Sequence, residues 1–244
     1  MQLSVKQTII WVLIFSVAMG FFENAVVIYL REIVYPDGFS FPLRPISDDL
    51  IKTELLREAS TLIMIFSIGV IAGRTLTERF AYFLFSFAIW DIFYYVFLKL
   101  MLDWPESLLS WDILFLIPIT WTGPVITPVM VSFTMILFAL VIIYHSSRNL
   151  EKLNKIVFLN PREWLVIIFG AFLVFLSFIW DYSRFLLQHF TLHEVFVSKN
   201  QEALREITNT YIPLSFNWWV FIAGEVALLI GIYLFHRRVV NREQ

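Results

Sequence analysis

Cysteine is absent from the 244-residue chain. Structural disulfides, thiolate nucleophiles, Cys-ligated zinc and iron–sulfur clusters are thereby excluded. Charge is scarce too. Asp, Glu, Lys and Arg make up 16% of the residues, against about 25% in an ordinary soluble domain. Histidine occurs four times (His145, His189, His193, His236), which limits haem and metal chemistry. No Gly-rich phosphate loop, Ser-His-Asp arrangement or HExxH motif is present, and no repeat or low-complexity tract.

What fills the chain is apolar surface. Hydrophobic residues reach 59%, aromatics 18%, and the mean hydropathy is +0.75. So little charge cannot cover a soluble globule of this size. The same numbers exclude a disordered chain and a nucleic-acid-binding protein. They fit an all-α, polytopic membrane protein with the lipid bilayer as its first partner.

A spanning helix needs about 20 mostly apolar residues. Six segments qualify, roughly 8–30, 55–73, 80–101, 125–145, 164–184 and 215–236, which we read as one transmembrane domain over 1–244. The first reads as a retained helix. No small-x-small cleavage site follows it, and the apolar pattern continues past Glu23 and Asn24. Six spans put both termini on one side. That side holds ten of the eighteen basic residues, among them Arg74, Arg79, Arg148, Lys152, Lys155 and Arg162, and only four acids. The positive-inside rule places it in the cytoplasm.

The stretch from Trp111 to Trp121 is apolar but only eleven residues long. A full crossing there would move the basic 148–162 loop outside. It is therefore expected to be a short re-entrant or interfacial segment before the fourth span. Its break residues are Pro118, Gly123, Pro124 and Pro128. Thr122 is expected to cap the fourth span, with Pro124 at its first position. Ser47-Asp48-Asp49 reads as a cap and acidic first turn of the second helix. Gly69 and Gly73, and Gly224 and Gly231, mark helix faces open to close approach.

Acids at membrane depth carry the functional signal. Glu23, Glu58, Asp91, Asp181 and Glu225 all fall between mid-membrane and the outer surface, and Asn24 adjoins the first. One polar site within the bundle, near the outer leaflet, is expected from them. Arg57 with Glu58, and Asp181 with Arg184 at i, i+3, read as structural pairs. Glu23, Asp91 and Glu225 have no basic residue near in sequence, which points to an ion, proton or ligand site.

His189 and His193 stand at i, i+4, followed by Glu194. If the fifth helix continues through Phe190, the two imidazoles share a face, and a divalent metal is the cofactor to test there. Ordinary surface histidines are the competing reading. His145 and His236 lie at cytoplasmic helix ends, poorly placed to hold a transmembrane haem.

The stretch Trp90-Asp91-Ile92-Phe93-Tyr94-Tyr95 through Trp104-Pro105-Glu106-Ser107 to Gly123-Pro124-Val125, with Tyr29-Leu30-Arg31 and Arg57-Glu58-Ala59, resembles a group of uncharacterised prokaryotic multi-pass integral membrane proteins. The likeness covers roughly the first 130 residues. It implies a prokaryotic membrane setting and no activity.

Three functions compete. The first is a non-catalytic subunit of a larger membrane complex, with a protein partner or a second copy, supplying carboxylates to a proton, cation or cofactor. The second is a metal-dependent intramembrane enzyme acting on a lipid or small apolar substrate. The third is a small transporter or channel built on the broken segment.

Overall fold

The computed structural model describes residues 3–36, 38–153, 155–191, 193–194 and 201–243. Its helices are α1 (Val5–Val34), α2 (Asp48–Ala72), α3 (Leu76–Leu102), α4 (Ile126–Leu153), α5 (Pro161–Leu187), α6 (Gln201–Thr208) and α7 (Trp218–Glu243). Two short strands, β1 (Trp111–Phe115) and β2 (Trp121–Pro124), lie between α3 and α4. All the helices except α6 are long and apolar enough to cross a bilayer, the shortest such stretch being 24 residues. At 1.5 Å per residue that is about 36 Å, more than the ~30 Å hydrocarbon core. The chain is an integral membrane protein built as a six-helix bundle.

Local chemistry sets the helix starts. The Ser4 side chain caps α1 in a capping box with Gln7, and Asn160 does the same for α5 with Glu163. Ser47 caps α2 as its sequence predicts, with Asp48 and Asp49 in the first turn. The fourth helix differs from expectation. It opens at Ile126, and Pro124 belongs to β2 rather than to the first turn. Thr122 bonds the Tyr211 hydroxyl at 3.0 Å instead of capping. The amides of Val125 and Ile126 are taken by the Ser110 and Leu108 carbonyls.

The apolar segment before α4 is an antiparallel β-hairpin. Trp111 pairs with Pro124, Asp112 with Gly123, Ile113 with Thr122 and Phe115 with Trp121, with a bulge between Ile113 and Phe115. β1 meets α1 and α3 through Asp112, Leu116 just beyond it meets Glu58 of α2, and Trp121 of β2 stacks on Phe178 of α5.

The bundle is organised around α3, which packs against α1, α2 and α4; α4 also touches α7, and α7 lies along α5. The last contact is backbone to backbone. A Cβ on Gly170 would sit 2.9 Å from the Gly224 carbonyl oxygen, and the reverse holds at the same distance. Gly69 and Gly73 likewise face Arg79 and Phe83 of α3. The largest apolar cluster, including Ala81, Phe85, Phe138, Ile142 and Phe235, fills the half of the bundle nearer the termini. Two ion pairs close that end: Glu78 with Arg74, and Glu163 with Arg238, whose Nε is 2.5 Å from Oε1.

Candidate functional site

The hairpin half holds a small cavity of about 60 Å³, room for a few water molecules. Its polar lining comes from Glu23 of α1, Arg57, Glu58 and Thr61 of α2, and Asp91 and Tyr95 of α3. Val27, Trp90, Tyr94 and residues 113–115 of β1 complete the wall. The α2 residues reach it because positions three and four apart share a helix face.

Each acid has a distinct set of contacts. Glu23 is 6% exposed; its Oε1 accepts from Arg57 Nη1 and its Oε2 from the Thr61 hydroxyl at 3.0 Å. Arg57 Nε also donates to Glu54, at 2.7 Å. Glu58 accepts the Leu116 amide just beyond β1, at 3.1 and 3.2 Å to its two oxygens. Asp91, near the middle of α3, accepts from Ser132 of α4 at 2.8 Å. Three carboxylates thus share the cavity lining with one guanidinium, which is bonded to Glu23 and to a fourth acid, Glu54. Fully ionised, the lining carries two uncompensated negative charges. In a low-dielectric surround such charge draws a proton or a cation.

A second buried pair adjoins the cavity. Arg31 Nη2 lies 3.4 Å from Asp112 Oδ1, and the Tyr95 hydroxyl donates to Asp112 Oδ2 at 3.2 Å. The guanidinium carbon of Arg31 stands 3.9 Å from the Trp104 ring centroid and 4.6 Å from that of Phe39. Arg31 Nη1 has no hydrogen-bond partner among the described residues. Asp112 is 2% exposed, and burial pushes its carboxyl up to about 6, against the lowering pull of Arg31, the Tyr95 hydroxyl and the Ile113 amide.

The acids expected to share one site fall into three places. Glu23, Glu58 and Asp91 line the cavity. Asp181 does not turn to Arg184; it accepts from the Tyr211 hydroxyl and from the amides of Leu214 and Ser215, fastening the segment before α7. Glu225 bonds Thr134 of α4 at 2.6 Å, and its Oε1 has no partner among the described residues. Asn24 donates to the Tyr94 carbonyl at 3.2 Å. Two further pairings are corrected. Glu23, read as unpaired, meets Arg57 across the α1–α2 interface. Arg57 turns to Glu23 and Glu54 rather than to its neighbour Glu58, because adjacent helical residues point to different faces.

The break residues are also located. Pro118 is exposed at the hairpin tip, Gly123 and Pro124 lie in β2, and Pro128 is in the first turn of α4. The premise for the His189–His193 pair does not hold. α5 ends at Leu187, and Thr191 bonds Glu194 at a new start. Among the described residues no group of three or more His, Asp or Glu is placed to hold a metal ion. His145 and His236 pair with each other, Nε2 to Nδ1 at 2.9 Å.

Sequence reasoning missed Asp112, Arg31, Tyr95 and Glu54 as site residues. Asp112 carried a signal, being one acid inside an eleven-residue apolar stretch. No protein family, curated protein or solved structure matches the chain.

Proposed function

We propose that this protein is a non-catalytic subunit of a prokaryotic inner-membrane complex, with both termini cytoplasmic, that holds a proton or small cation in its carboxylate cavity. The observation carrying this reading is the set of three acids and one arginine that line a cavity of about 60 Å³. The volume suits water and a proton or a monocation. It is far too small for a lipid chain, which weighs against the enzyme acting on apolar substrates. No three-ligand metal group lies among the described residues, so a proton fits this cavity better than a resident divalent metal.

The test is proton uptake by the purified protein in nanodiscs, read from the infrared carboxyl C=O stretch across a pH titration. Wild type is expected to show a titrating buried-carboxyl band that Glu58→Gln and Asp91→Asn each diminish. A band unaffected by both substitutions overturns the cavity reading. Mild-detergent extraction from native membranes tests the subunit role. A protein that elutes alone and without a stoichiometric partner overturns that part.

A further inference from the structure

The cavity floor at Asp91 and the hairpin end are joined by three side chains. Tyr95 lies one turn beyond Asp91 on α3, and both line the cavity. The Tyr95 hydroxyl leaves the cavity wall to meet Asp112 Oδ2. The other oxygen of Asp112 faces Arg31. Beyond Arg31, the Trp104 and Phe39 rings cover its guanidinium, which leaves Arg31 8% exposed.

We infer that Tyr95 and Asp112 form the proton path between the cavity and the hairpin end, with Arg31 closing its outer mouth. The assignment rests on the proton reading of the cavity and names its route. Every group around Asp112 suits the role. From α1 it is faced by Arg31. From α3 it is faced by Tyr95, with Tyr94 and Asp91 within electrostatic reach. Its partner across the hairpin, Gly123, brings no side chain. A carboxyl whose affinity for protons sits at about 6 loads and unloads near neutral pH.

The transfer balances without a co-reactant. A proton arriving at Asp112 forms an O–H bond on Oδ2 and cancels the charge that holds Arg31. Once Oδ2 is protonated it no longer accepts from Tyr95, whose O–H turns to a cavity water. The acid then gives its proton to the Tyr95 oxygen as that O–H bond breaks toward the water. The water passes its excess proton to the Asp91 or Glu58 carboxylate. Tyr95 ends neutral, with its new hydrogen directed at Asp112, the arrangement seen here.

The decisive variant is Tyr95→Phe, which keeps the ring in its buried site and removes only the hydroxyl. In nanodiscs, a pH jump followed by time-resolved infrared spectroscopy reads how fast the cavity acids take up protons. The path predicts that Tyr95→Phe slows uptake by roughly tenfold or more while the final amplitude is unchanged. Asp112→Asn is expected to slow it similarly, with thermal unfolding as the check on its fold. Unchanged rates in folded Tyr95→Phe overturn the path and leave the cavity reading standing. If wild type shows no band sensitive to Glu58→Gln or Asp91→Asn, the cavity reading falls, and the path falls with it.

Discussion

Arg57 of α2 donates to Glu23 of α1, and this ion pair joins two helices that otherwise touch little. Both side chains are largely buried, at 18% and 8% exposure. Removing one partner strands the other charge away from water, which typically costs about 3–5 kcal/mol. Arg57→Ala is expected to lose that much, since Glu54 is stranded along with Glu23. The Arg57→Gln, Glu23→Gln double variant should lose less than the sum of the single changes. Unfolding in a fixed detergent, with all four proteins compared, measures this. Additive losses would mean that the pair is not coupled.

The Gly170–Gly224 contact offers a test of the α5–α7 interface that leaves the cavity untouched. A methyl on either residue meets backbone atoms 2.9 Å away, and backbone yields less readily than the end of a side chain. Gly224→Ala should cost about 1–3 kcal/mol as the helices are pushed apart. Larger residues such as Leu should prevent a monodisperse preparation. A Gly224→Ala protein as stable as wild type would place these helices further apart than described here.

Asp112 makes stability depend on pH in a stated direction. Its carboxyl is held at about 6 in the folded chain, above the ordinary 3.8. The folded state therefore binds the proton more tightly than the unfolded one. The stability this contributes is complete below about pH 4 and is lost as pH rises through 6. The difference is on the order of 2–3 kcal/mol. Wild type and Asp112→Asn should thus diverge between these pH values, with the falling component absent from the variant. Parallel stability curves would remove Asp112 from the titrating set.

Much of the fold was legible because hydropathy alone marks a spanning helix, and the Ser47 cap and the Gly69 and Gly224 faces follow from local chemistry. The hairpin was not. Its strands hold five and four residues, and the turn Leu116–Thr120 lacks the Asn-Gly or Asp-Gly signal of tight hairpins. Reading that segment as re-entrant or interfacial, outside the six spans, also hid Asp112, since unusual acids were sought only in the spanning helices. For the site, Glu23, Glu58 and Asp91 were identified individually from their depth. Their partners were hidden, because Thr61, Ser132 and Leu116 come from other segments or turns. Sequence proximity instead suggested Arg57–Glu58 and Asp181–Arg184, and tertiary packing chose otherwise.

His189 and His193 provide a contrast to the buried acids. Both are exposed, and α5 ends before the first of them. Substituting both with alanine should change stability by less than about 0.5 kcal/mol, as surface changes commonly do. Metal content by mass spectrometry of the purified protein should not differ from wild type. Loss of a stoichiometric metal in the double variant would restore the metal reading at that loop.

Orientation decides which compartment the cavity exchanges with, and the cysteine-free sequence makes it directly measurable. Glu106 is exposed in the connection between α3 and β1, at the hairpin end. Asn241 is exposed near the end of α7, at the opposite end of the bundle. Each is replaced by cysteine in an otherwise unchanged chain, so every label reports one position. The charge distribution, with ten basic residues and four acids on the side of the termini, predicts that the hairpin faces outward. A membrane-impermeant maleimide applied to intact cells should then label Glu106→Cys. Asn241→Cys should react only after the cells are opened. The reverse pattern would invert the orientation and make the Tyr95–Asp112 path lead to the cytoplasm.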